Sequence, residues 1–261
     1  MPYQFIRLSE HLDMLGVELF ATPTQTRKSN GDRLQSVIKN IIGSWQAGRF
    51  MPLIQRPWSV NSYALSKLWY KCNCIDLRVQ DYKGIHSKVL SWIYSDQLEK
   101  PESIILFRPI ESGGLGLHHV ALKAKSMLIR SFLDTAINPD YINSLYHNAL
   151  FRFYVLKETD FADPGSSPYY SEDFFKTIVA ANENPQLNII KMSSKQWYEF
   201  LLEKEIKYID NESQELNLIK CRTEQINAGI EWERVWRLAR LKGLGPELKT
   251  FAWRLLHGIL G

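Results

Sequence analysis

The sequence predicts a mainly α-helical chain with a few short strands. Three observations carry that reading. Apolar residues recur at three- and four-residue spacing along most of the chain, which lines them up on one helix face. β-like runs are short, confined to residues 15–20 and 103–107. Hydrophobic residues make up 45% and charged residues 23% of the 261 positions, an ordinary globular balance that argues against global disorder.

Taken in order, residues 15–20 read as a strand, and 21–31, marked by Pro23, Asn30 and Gly31, as a polar loop. Asp32 is placed to cap a helix whose stripe is Leu34, Val37, Ile38, Ile41 and Trp45, closed by Gly48 and Pro52. The next helix opens at Ser59 or Asn61 and buries Val60, Ala64, Leu65, Leu68 and Trp69. A third runs over about 81–94 with Ile85, Val89, Trp92 and Ile93 inward. Residues 103–107 read as a strand, and 109–117 are rich in turn formers. A long helix follows over about 118–136, with Ala121, Ala124, Met127, Leu128 and Phe132 in the core. Residues 138–156 read as helical, and the loop Phe161–Pro168 as a boundary between sub-domains. Ser171 opens a helix to about Asn182, and Ser193 with Gln196 fits a capping box ahead of Trp197, Phe200, Leu201 and Leu202. The acidic stretch 209–217 is a linker or an exposed helix. Trp232, Val235 and Trp236 mark another helix, broken at Gly243–Pro246. Leu248, Phe251, Ala252, Leu255, Leu256 and Ile259 form a last amphipathic helix, whose apolar face calls for a protein partner to cover it. No internal repeat is visible.

Three cysteines, an odd number, do not make a disulfide framework and point to a reduced intracellular setting, nucleus or cytoplasm. The N-terminus has no signal-peptide pattern, and no run approaches the roughly 18 apolar residues of a membrane span. The distribution of charge says more than its net value of +4. Residues 27–88 hold eleven Lys and Arg against three acids, a local excess of +8, whereas 136–230 hold nine against fourteen, or −5. A basic stretch of that length attracts phosphates, or is a solvated helical surface. Its members include Arg27, Lys28, Lys39, Arg49, Arg56, Lys67 and Lys71, and the last two lie four apart on one helix face. Trp58, beside Arg56 and Pro57, is the candidate stacking ring for a base.

No catalytic or metal site stands out. Cys72 and Cys74 are one residue apart, which is poor zinc spacing, and His118–His119 fits a cap or a surface pair. Gly113-Gly114-Leu115-Gly116 lacks the third glycine of a dinucleotide fingerprint. It is either a turn that needs positive φ at glycine or a backbone nest for a phosphate. No cofactor is implied.

The order of these elements resembles the C-terminal part of non-LTR (LINE-type) retrotransposon reverse transcriptases. Leu15-Gly16-Val17 is similar to the Leu-Gly-Val/Ile that follows the palm in that family. Trp45, Arg49, Pro52-Leu53-Ile54 and Arg56 resemble its next stretch, and Asn61 to Tyr70 its next helix. Trp92 takes the place of the aromatic ahead of its Gly-Gly-Leu-Gly-Leu element, which Gly113 to Leu117 match letter for letter. Ser193 to Tyr198 resemble the short segment that leads into its zinc-binding tail, and Trp232 to Trp236 and Pro246 to Leu256 resemble the start of that tail. The resemblance covers residues 12–135 and 190–261. It implies a helical, thumb-like bundle over 1–135, a helical connector over 136–190, and a second, smaller lobe over 191–261. It also implies sequence-independent contact with the backbone of RNA or an RNA–DNA duplex. The family's aromatic-x-Asp-Asp turn, which holds its catalytic metals, has no counterpart here, since Phe161-Ala162-Asp163-Pro164 carries a single Asp far downstream. The expectation is therefore a non-catalytic fragment. The alternatives are a helical interaction or structural relic, and the rear of a full-length polymerase whose reading frame continues upstream.

Overall fold

Polar side chains build the first contact of the chain. The computed structural model describes residues 11–14, 16–45, 51–94, 103–141, 144–158, 170–212, 232–238 and 243–257. Strands β1 (His11–Met14) and β2 (Val17–Phe20) pair antiparallel, with Asp13 opposite Glu18. Two carboxylates facing each other across a ladder repel, and Arg33 offsets this by pairing with both, at 3.5 and 3.1 Å. Helix α1 (Pro23–Ser44) begins nine residues before the expected Asp32 cap. Its first turns read as a loop because their inward residues are polar. Asn30 is fully buried and clasps the backbone of Glu18, donating from Nδ2 to the carbonyl at 2.7 Å and accepting its N–H at Oδ1 at 3.2 Å. One turn earlier, Thr26 Oγ1 accepts the Phe20 N–H at 2.9 Å. An edge strand is thus satisfied by side chains of a helix.

Further helices follow: α2 (Arg56–Ser59), a π-helical turn (Val60–Ala64), α3 (Ser66–Cys72) and α4 (Val79–Ile93). Next is α5 (Ser103–Phe107), where the sequence predicted a strand. Short apolar runs do not distinguish strand from helix. Here Ile104, Leu106 and Phe107 are buried, and the Leu117 and Gly116 N–H groups donate to the carbonyls of Leu106 and Arg108, at 2.8 and 3.1 Å. The free carbonyls at the end of this short helix are satisfied in that way. The chain continues with α6 (Val120–Ile137), α7 (Ser144–Leu150) running into a second π turn (Phe151–Val155), and α8 (Glu172–Asn182). The last three are α9 (Ser194–Glu212), α10 (Trp232–Leu238) and α11 (Pro246–Leu256). Ser171 caps α8 by accepting the Phe174 N–H, and the Ser193–Gln196 box precedes α9, both as predicted. The class is mainly α with one short hairpin among the described residues.

Two units alternate along the sequence. Unit 1 takes residues 1–37, 68–83 and 121–198, and unit 2 takes 38–67, 84–120 and 199–261. The sequence reading divides the chain differently, into the consecutive segments 1–135, 136–190 and 191–261. The expected boundary loop, Phe161–Pro168, lies outside the described residues. Unit 1 is centred on Phe132, whose ring makes edge-on contacts with Tyr170, Phe174 and Phe175 at 5.1–5.8 Å. Its second anchor is Asp81, fully buried, which accepts from Arg78 and from Gln35 of α1.

Unit 2 buries Ile38, Leu65, Ile85, Ile93, Leu106 and Leu117, and it contains a tight turn at residues 113–116. In that turn Gly113 has φ +81, and its carbonyl accepts from Trp253 Nε1 at 2.7 Å and from His257 Nε2 at 2.9 Å. A carbonyl only accepts, so the His257 proton sits on Nε2. Trp253 is buried, which docks α11 in this unit, while Leu248, Phe251 and Leu255 on its other face stay exposed. No helix of the described residues is long and apolar enough to cross a membrane.

His119 is partly buried against the rings of this core rather than one of a surface pair. Its ring lies 5.0 Å from His86 and 4.9 Å from Phe107. Burial, and then the neighbouring His86, push its pKa down to about 4, and burial lowers His86 as well. The unfolded chain therefore takes up protons that the folded one refuses. The stability this provides is complete above about pH 6.5 and is lost progressively as pH falls to about 4, on the order of 2–3 kcal/mol for His119 alone. Urea midpoints measured across that window check this, and His119→Phe should flatten the decline.

Candidate nucleic-acid interface

The described cations of residues 27–88 separate into three kinds. Some hold the fold together. Arg33 is committed to Asp13 and Glu18, and Arg78 to Asp81 and Asp32 at 2.7 and 2.8 Å. Arg56 is a correction to the sequence reading, which set it among the phosphate contacts. It is 2% exposed, donating from Nε to the Met51 carbonyl at 2.8 Å and from an Nη to the Ile93 carbonyl at 2.7 Å. Its guanidinium also lies 5.9 Å from the Trp92 ring centre. A planar fork with five donors suits this cross-linking role, and nothing in the sequence separates it from a surface arginine.

A second kind is partly buried. Arg27 of α1 is half-buried, and its charge stabilises the Asp76 carboxylate, whose pKa burial raises. Lys71 is half-buried too, and burial followed by the Arg33 charge lowers its pKa. The third kind is exposed: Lys28 in unit 1, Lys39 and Lys67 in unit 2, and also Lys83 in unit 1. Among the described residues none of these four lysines has an ion-pair partner. Lys28 and Lys39 both lie on α1, eleven residues apart. Arg49 lies outside the described residues.

The glycine turn is not a phosphate nest. The N–H groups of Gly113, Gly114 and Gly116 donate to the carbonyls of Ile110, Pro109 and Arg108, at 3.2, 2.9 and 3.1 Å. With those donors used internally, the segment works as a turn, the first of the two readings. It also joins two elements. Asn61 Nδ2 donates to the Gly116 carbonyl at 2.8 Å, and Asn61 Oδ1 accepts the His118 N–H at 3.0 Å.

Trp58 is 63% exposed, as the stacking reading requires. A residue that the sequence reading missed lies beside it. Tyr63, 57% exposed, meets Trp58 edge-to-face with ring centres 6.0 Å apart. In an α-helix residues five apart point about 140° away from each other. The π turn removes that separation, with the Leu65 N–H donating to the Val60 carbonyl five residues back, and no sequence pattern announces it. Behind Tyr63 the rings continue inward to Trp45 at 6.5 Å, then from Trp45 to Trp92 at 5.2 Å. Among the described residues no group of three His, Cys, Asp or Glu is placed to hold a metal ion.

No family model, no curated protein and no solved structure matches the chain.

Proposed function

We propose that this protein binds the sugar–phosphate backbone of RNA or of an RNA–DNA duplex without reading sequence, as a thumb-like piece of a non-LTR reverse transcriptase would. The reading assigns the chain no catalytic step. One observation carries it: four exposed lysines in a stretch of +8 have no ion-pair partner among the described residues. A lysine that only solvates a helix surface works equally well beside a carboxylate, and among the described residues these have none. The motif order of the resemblance adds support. Two of its segments, Gly113–Leu117 and Pro246–Leu256, meet through Trp253.

The physics of such binding is counterion release. Affinity for an RNA–DNA hybrid should fall linearly with salt on a log–log plot, with a slope of about −0.7 to −0.9 per phosphate contacted. Charge reversal at Lys28, Lys39 and Lys67 together should flatten the slope by about 2 and weaken binding at low salt. These side chains are exposed, so circular dichroism should show an unchanged fold. A flat salt profile in the wild type, or an unaltered slope in the triple variant, would overturn the reading.

The exposed face of Leu248, Phe251 and Leu255 favours a second reading, a helical protein-interaction fragment. Under that reading the triple variant keeps every partner contact.

A further inference from the structure

We infer that Trp58 and Tyr63 form a stacking platform for an unpaired nucleobase, with Lys67 placed to hold a phosphate of the same strand. This deepens the backbone-binding proposal and rests on it. It names a class of substrate, nucleic acid with a single-stranded end or gap, that duplex backbone contact alone does not select.

A lone exposed aromatic needs no explanation. Here two exposed rings touch, and a π turn sets them side by side. π turns replace ordinary helical hydrogen bonds and occur often at functional sites. The pair is also anchored. Tyr63 contacts Trp45 edge-on, Trp45 contacts the buried Trp92, and the Arg56 guanidinium lies over Trp92 while donating to two carbonyls. Rings supported in this way present a fixed surface, so little ordering remains to be done when a base arrives. Lys67 follows Tyr63 by four residues, about one turn along, and is exposed without an ion-pair partner among the described residues. An exposed aromatic face, braced by a second ring at its edge and followed by a lysine with no ion-pair partner among the described residues, matches the two parts of a single strand, its base and its phosphate. All of these groups belong to unit 2.

The test compares two labelled probes on the full chain by fluorescence anisotropy: a blunt RNA–DNA hybrid and the same hybrid with a short single-stranded overhang. The wild type should bind the overhang probe more tightly. Trp58→Ala should weaken overhang binding about tenfold, the effect of losing one base stack, and leave the blunt probe unchanged. Trp58→Phe should retain most of the preference. Trp58 is exposed, so folding should survive, and circular dichroism checks that. If Trp58→Ala changes both probes equally or neither, while the salt slope persists, the platform is overturned and backbone binding stands. A Trp58 surface that serves a protein partner gives that same result. If neither probe binds, both proposals fall.

Discussion

Gly114→Ala should destabilise the protein by ~3 kcal/mol or more, in the upper range for a single substitution. A Cβ built on Gly114 would lie 1.9 Å from the Arg108 carbonyl oxygen and 2.4 Å from its carbon. Those are backbone atoms, so no rotamer change relieves the overlap. The oxygen already accepts the Gly116 N–H, and moving it also disturbs the Leu117–Leu106 bond that closes α5. The damage extends to α11, whose buried Trp253 hydrogen-bonds to the neighbouring Gly113 carbonyl. Urea unfolding followed by near-ultraviolet circular dichroism, which reports the packed tryptophans of unit 2, should show the midpoint fall. Gly113→Ala should be comparable, because φ is +81 there and the new methyl would meet the Trp236 ring at 2.5 Å. Values below ~1 kcal/mol for both would mean that the turn is not built as described.

That turn shows what a sequence discloses and what it does not. The glycines stood out, and a turn was one of two readings offered. Choosing between them required knowing where the N–H groups point, which no spacing encodes. Helical periodicity located α4, α6 and α9 because each buries an apolar stripe, and Ser171 and Ser193 marked the starts of α8 and α9 with cap chemistry. The start of α1 was misread for the converse reason. Its inward residues, Thr26 and Asn30, are polar because they bind the strand backbone rather than an apolar core. Charge counting found the basic stretch correctly but treated its members alike. Arg56 and Lys67 are equal on paper, and only packing buries one and exposes the other. Tyr63 stayed hidden because an α-helical wheel turns it away from Trp58.

Asp81 and Gly31 should show strong non-additivity, and this pair tests how unit 1 is held together. Asp81 has no exposed surface, and its carboxylate accepts four hydrogen bonds. Three come from the Arg78 backbone and guanidinium and one from Gln35, so it ties the start of α4 to the middle of α1. Asp81→Ala removes the anion and leaves those donors without their acceptor. The loss should be ~3 kcal/mol, the low end for a broken buried pair, because Arg78 keeps Asp32 and some water. Gly31 lies beneath that carboxylate, and an added Cβ would sit 2.3 Å from Oδ2. Four hydrogen bonds hold the carboxylate in place, so Gly31→Ala should destabilise by ~2 kcal/mol despite the better helix propensity of alanine. Once Asp81 is alanine that obstacle is gone. Gly31→Ala in the Asp81→Ala background should then stabilise by ~0.5–1 kcal/mol, as Gly43→Ala should at an open site on the same helix. A double-mutant cycle by urea unfolding should therefore give a coupling of ~2–3 kcal/mol and a change of sign for the same methyl group. If the two substitutions prove additive, the carboxylate is not seated over Gly31, and the link between α1 and α4 must come from apolar packing alone.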